Sequence, residues 1–119
     1  MIIVTNNPSV QEYFKAEEVD FVDSDYKQVL LRVRDYVHKN HTLLTHPLSG
    51  SIKPNETPYK SIALEAGKTI DFASLELIEN ALAVYDKFQG NEKTPSWTQR
   101  VKEDFMVIDF DLIKNALKK

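Results

Sequence analysis

The sequence predicts an α/β fold: a small three-layer sandwich, Rossmann-like, with a short and mostly parallel sheet of about four strands plus C-terminal helices. Three observations predict it. Short apolar runs alternate with segments of helical period, an order that builds a sheet covered on both faces. The first run, Ile2-Ile3-Val4, is continuous rather than alternating, as in a strand buried from both sides. The chain of 119 residues suits a single domain, residues 1–119, and is too short for two well-buried cores.

The elements follow in order. The first strand stops at Thr5-Asn6-Asn7-Pro8. Asn7 is placed to cap a short helix with Pro8 at its first position, where the missing N–H costs nothing. Val10, Tyr13 and Phe14 supply its apolar face. Val19 to Val22 reads as a second strand, and Asp25 to Asn40 as a helix burying Tyr26, Val29, Leu30, Val33 and Val37. Thr42 to Thr45 is the third strand. The stretch from His46 to Tyr59 contains Pro47, Pro54 and Pro58, and each proline disfavours helix at the residue before it, so the stretch is loop. Lys60 to Glu65 is the fourth strand, with Ile62 and Leu64 on one face. Asp71 caps a long helix on which Phe72, Leu75, Ile78, Leu82 and Tyr85 recur, joined by Ala81 and Phe88, and Gly90 ends it. Pro95 opens a last helical region with Trp97, Val101, Phe105 and Ile108, and Asp109 or Asp111 restarts a separate short helix through Leu117.

Composition narrows the function classes. With 42% hydrophobic and 28% charged residues the chain is globular rather than disordered. A net charge of −3 offers no general attraction for nucleic acid, which needs clustered Lys and Arg. No apolar run approaches the roughly 20 residues of a membrane span, and the N-terminus lacks the pattern of a signal peptide. The absence of cysteine excludes disulfides, thiolate ligands and a cysteine nucleophile, and suits a reducing compartment. A cytoplasmic protein is the expectation. His38, His41 and His46 are not spaced to converge on one metal, so no metal site is expected.

Ligands of open α/β sheets bind beyond the carboxyl ends of strands. If the first and third strands are neighbours, Thr5-Asn6-Asn7 and the His46–Tyr59 loop meet at one crevice. Ser49-Gly50-Ser51 is a small-residue turn whose N–H groups and hydroxyls suit a phosphate or carboxylate. Lys53, Lys60 and His46 add positive charge, and Asn55, Glu56, Thr57 and Tyr59 add donors and acceptors. Glu56 and His46 are the candidate acid–base pair. The aromatic residues of the last helices read as core. The apolar excess there also suits a homodimer through those helices, a reading that a monomeric mass in light scattering would remove.

Thr5-Asn6-Asn7-Pro8, and the longer run from Leu44 through Thr45-His46-Pro47-Leu48-Ser49-Gly50-Ser51 to Lys53-Pro54-Asn55-Glu56-Thr57-Pro58-Tyr59-Lys60-Ser61, resemble the GrdX family, small bacterial proteins encoded with the glycine reductase system. The resemblance implies an accessory role beside glycine, sarcosine or betaine reductase and assigns no catalytic residue and no cofactor. The expected function is therefore an accessory protein binding a small anionic or zwitterionic ligand at the strand ends. Two alternatives stand beside it. An enzyme using His46 and Glu56 would lose turnover when both are replaced. A module that contacts a reductase subunit through its proline-rich loop would retain that partner without any small molecule.

Overall fold

The computed structural model describes residues 1–15, 17–48, 57–91 and 97–117. Strand β1 (Ile2–Thr5) is buried along its whole length, as its unbroken apolar run predicts. Asn7 caps α1 (Pro8–Tyr13), its side chain accepting from the Ser9 N–H. Strand β2 (Glu18–Phe21) returns parallel to β1. Asp25 accepts from the Gln28 N–H to cap α2 (Tyr26–His38), which buries the five residues its periodicity selects. Asn40 then adopts a positive φ of 74°, the left-handed conformation that ends helices and that asparagine tolerates.

Strand β3 (His41–Leu43) and strand β4 (Ser61–Ala66) complete a sheet of order β2-β1-β4-β3. Here the structure departs from expectation. β4 runs antiparallel to both β1 and β3, and only β1–β2 is parallel. The sheet is mixed rather than mostly parallel, and β1 and β3 are separated by β4 rather than adjacent. The physical reason is connectivity. Parallel neighbours need a crossover, usually a helix, and the segment joining β3 to β4 was read as loop. Gly67, just after β4, lies so close to the turn at Asn40 that a Cβ would stand 2.7 Å from the Asn40 carbonyl oxygen, nearer than real contacts allow.

Alternation along the strands feeds two cores. Ile2, Val4, Ile62 and Leu64 face α2 and α3 (Phe72–Asn91), packing with Val29, Leu30, Val33 and Ile78. Ile3 and Ala63 face the other way, against Val10 of α1 and Ile113 of α4 (Gln99–Leu117). Helices α2 and α3 cover one face of the sheet and α1 and α4 the other, giving three layers.

The helices correct four further expectations. Phe72 is 75% exposed, because six residues before Ile78 puts it roughly 120° around the helix from the buried stripe. That stripe instead begins at Ser74, which is buried and donates to Asp71 while accepting from the Leu43 N–H. Helix α3 continues through Gly90 to Asn91. The last region is one helix, in which Asp109 is buried mid-helix rather than capping a restart. Val101 and Ile108 are exposed, with Val107 and Leu112. The side chain of Phe88 and the whole of Pro95 lie outside the described residues.

Candidate functional site

Although β4 separates β1 from β3, its reversed direction brings the start of β4 to the edge where β1, β2 and β3 end. Thr5 pairs across the ladder with Ser61. The chain leaves β3 beside them, with the Leu44 N–H donating to the Ala63 carbonyl and the Thr45 hydroxyl accepting from the Ala63 N–H. Thr5–Asn7 and the described ends of the His46–Tyr59 stretch, residues 46–48 and 57–59, therefore lie at one edge, through an antiparallel neighbour rather than a parallel one.

At this edge lies a buried polar network centred on Asp109 of α4. The Asn7 N–H donates to the Thr5 hydroxyl at 3.0 Å, and the Thr5 and Ser61 hydroxyls are 2.6 Å apart. The Ser61 hydroxyl donates to Asp109 Oδ2 at 2.7 Å. Its single proton being used there, Thr5 is the donor to Ser61. Asp109 Oδ2 also accepts from Asn7 Nδ2 at 3.0 Å, and Oδ1 accepts from the Ser61 N–H at 3.0 Å. Two routes from Asn7 thus converge on Asp109 Oδ2: a relay through the Thr5 and Ser61 hydroxyls, in which each donation polarises the next, and a direct bond from Nδ2. Its second amide proton goes to the Met106 carbonyl.

Asn6 does a different task. Its amide donates to the carbonyls of Ser24 and Pro58 and accepts from the Lys60 N–H, tying the segment before β4 to the end of β2. Thr5, Asn6 and Asn7 are all buried, and these bonds hold the wall of the site. On the other side, the buried Tyr26 hydroxyl donates to the Pro47 carbonyl, fixing where the loop leaves the sheet.

Two cavities flank residues 57–61. The smaller, about 140 Å³, lies between the sheet edge and α4 and is lined by Thr45, His46, Lys60, Ser61 and Asp109 above Leu112 and Ile113. Lys60 is only 6% exposed, and burial lowers its pKa while the charge of Asp109 opposes that shift. Burial likewise raises the pKa of Asp109, against the bonds from Asn7 and Ser61 and the charge of Lys60. A cleft holding two titratable groups displaced by their surroundings has the character of a functional site. His46 stands exposed at its rim, where Nδ1 accepts from the Leu48 N–H. In that pose Nδ1 is engaged as an acceptor, which leaves Nε2 as the ring nitrogen able to donate.

The larger cavity, about 400 Å³, lies beyond the end of β2 and is lined by Thr57, Pro58 and Tyr59 opposite Tyr26, Tyr85 and Trp97, with Asp23, Asp25 and Lys102. Of the sequence-predicted residues, Thr5 and Asn7 belong to the Asp109 network, His46 lines the smaller cavity beside it, and Asn6, Thr57 and Tyr59 line the larger one. Ser49, Gly50, Ser51, Lys53, Asn55 and Glu56 lie outside the described residues, and with them the proposed Glu56–His46 pair. His38 and His41 do not join the site: His41 bonds the Tyr36 carbonyl and packs edge-on against its ring, while His38 is at the end of α2.

Sequence reasoning missed Asp109, read as a helix start. The signal was present, since Phe105, Asp109, Ile113 and Leu117 repeat at four-residue spacing and Asp109 is the one polar member of that row. Among the described residues, no helix is long and apolar enough to cross a membrane. The family model described as GrdX-like protein matches residues 2–118. No curated protein and no solved structure matches.

Proposed function

The chain belongs to the GrdX family, and on that premise we propose that it is an accessory protein of glycine, sarcosine or betaine reductase metabolism that binds a small anionic or zwitterionic ligand at the sheet edge. The observation that carries the ligand reading is the 140 Å³ cavity on which Lys60, His46, Ser61 and Asp109 converge. Lys60 supplies a cation in a poorly solvated setting, where its attraction for an anion exceeds its value in water. His46 Nε2 supplies a donor at the rim. Asp109 accepts three bonds among the described residues, leaving about one of its four lone-pair sites for an ammonium.

The volume sets the size class. Pockets for drug-sized ligands run from about 300 Å³ upward, so this one suits a molecule of a few heavy atoms and not a nucleotide. Calorimetry is expected to show saturable binding of glycine or acetyl phosphate, no binding of nucleotides, and affinity weakened at least about tenfold in Lys60→Met. His46→Ala, changed at the exposed rim, provides a second variant should the buried substitution impair folding. Silence for both small ligands with the protein folded would overturn the reading.

A further inference from the structure

The larger cavity differs in chemistry from the first. Aromatic side chains make up much of its lining: half-buried Tyr59 and Trp97 close it from two segments, beside the buried pair Tyr26 and Tyr85, which stack on each other with centroids 5.7 Å apart and planes 29° from parallel. Carboxylates of Asp23 and Asp25 stand at the same cavity, against a single lysine, Lys102. The lining is therefore aromatic and net acidic.

From this arrangement we propose that the 400 Å³ cavity is a binding site for the alkylated ammonium group of a small organic cation. An aromatic face carries negative potential and attracts cations that shed water easily, which is how quaternary ammonium groups are recognised. Hard metal ions need six or more oxygen ligands for calcium, or a rigid octahedron for magnesium, and a wall of rings does not supply them. Asp25 already accepts from the Gln28 N–H as the cap of α2, so its position is set before any ligand arrives. The volume lies within the range of small-molecule sites. This site shares no lining residue with the cavity at Lys60, so each can fail without the other.

Trp97 is the single tryptophan, so its fluorescence reports this cavity directly. Titration with tetramethylammonium chloride is expected to change the emission saturably, while ammonium chloride and the neutral, similarly shaped tert-butanol do not. Tyr59→Leu removes a ring and is expected to weaken the response about tenfold. Asp25→Asn keeps a good helix cap, removes one charge, and is expected to weaken binding several-fold in a protein whose circular dichroism is unchanged. An absence of saturation in the folded protein, an equal response to tert-butanol, or unaltered affinity in both variants would each overturn the proposal.

Discussion

Asp109→Ala is expected to destabilise the protein by about 3 kcal/mol, the cost of leaving buried donors without an acceptor. The Ser61 N–H and Ser61 hydroxyl both lose their partner, and Asn7 Nδ2 keeps only the Met106 carbonyl. Asp109→Asn is milder, about 2 kcal/mol, because one oxygen still accepts but the new NH₂ must face a donor. The pH dependence carries the sharper test. Burial raises the folded pKa of Asp109 above its ordinary 3.8, so the folded state holds this proton more tightly than the unfolded chain. Its contribution to stability is fully present below the unfolded pKa and is lost as pH rises through the folded one. In urea unfolding, the gap between wild type and Asp109→Asn is therefore widest in acid and narrows towards neutral pH. A gap that widens with pH would show that the bonds from Asn7 and Ser61 outweigh burial.

Asn7→Asp should be as damaging, and for a different reason. Aspartate caps helices as well as asparagine, so α1 retains its bond to the Ser9 N–H. The donor at Nδ2, however, becomes a carboxylate oxygen where Asn7 now sits 3.0 Å from Asp109 Oδ2. Two buried carboxylates at that separation do not both ionise; they share a proton and titrate as a pair with one pKa strongly raised. The variant is expected to approach wild-type stability near pH 4 and to lose about 3–5 kcal/mol by pH 8, the scale of an uncompensated buried charge. Asn7→Ala loses the cap and both amide donors but adds no charge; its loss should grow with pH only through the bond it takes from ionised Asp109, and far less than that of Asn7→Asp. Chemical denaturation of the two variants across that range separates the electrostatic cost from the lost bonds, and parallel profiles would refute the like-charge account.

Much of the frame was legible because it is written in local periodicity. The unbroken Ile2-Ile3-Val4 run announced a strand buried on both faces, and every apolar residue selected on α2 is buried. Asn7 and Asp71 were recognisable as caps because a short polar side chain before an apolar repeat has few other uses, whereas Asp25, read as the first helical residue, is the cap of α2. The direction of β4 was readable and overlooked. A stretch of sequence crowded with Pro47, Pro54 and Pro58 argues against a helical crossover, and without one the strands it joins favour antiparallel pairing.

Asp109 was the costlier omission. In helix α4 Val101 and Ile108, read as part of its apolar face, are exposed, while an acidic residue, Asp109, is buried beside Ile113. Hydropathy cannot anticipate this, since an aspartate is buried only where partners wait for it. Those partners, Asn7 and Ser61, are 102 and 48 residues away in the chain.

The sequence by itself determined the α/β class, the caps at Asn7 and Asp71 and the apolar stripes of β1 and α2, because each depends on neighbours within a turn or two of chain. Only the tertiary structure decided that β4 lies between β1 and β3, that Asn6 and Asn7 hold the wall of the site, and that residues 57–61 divide two cavities of unlike chemistry. Those outcomes depend on which distant groups satisfy one another once water is excluded, and no local pattern encodes that pairing.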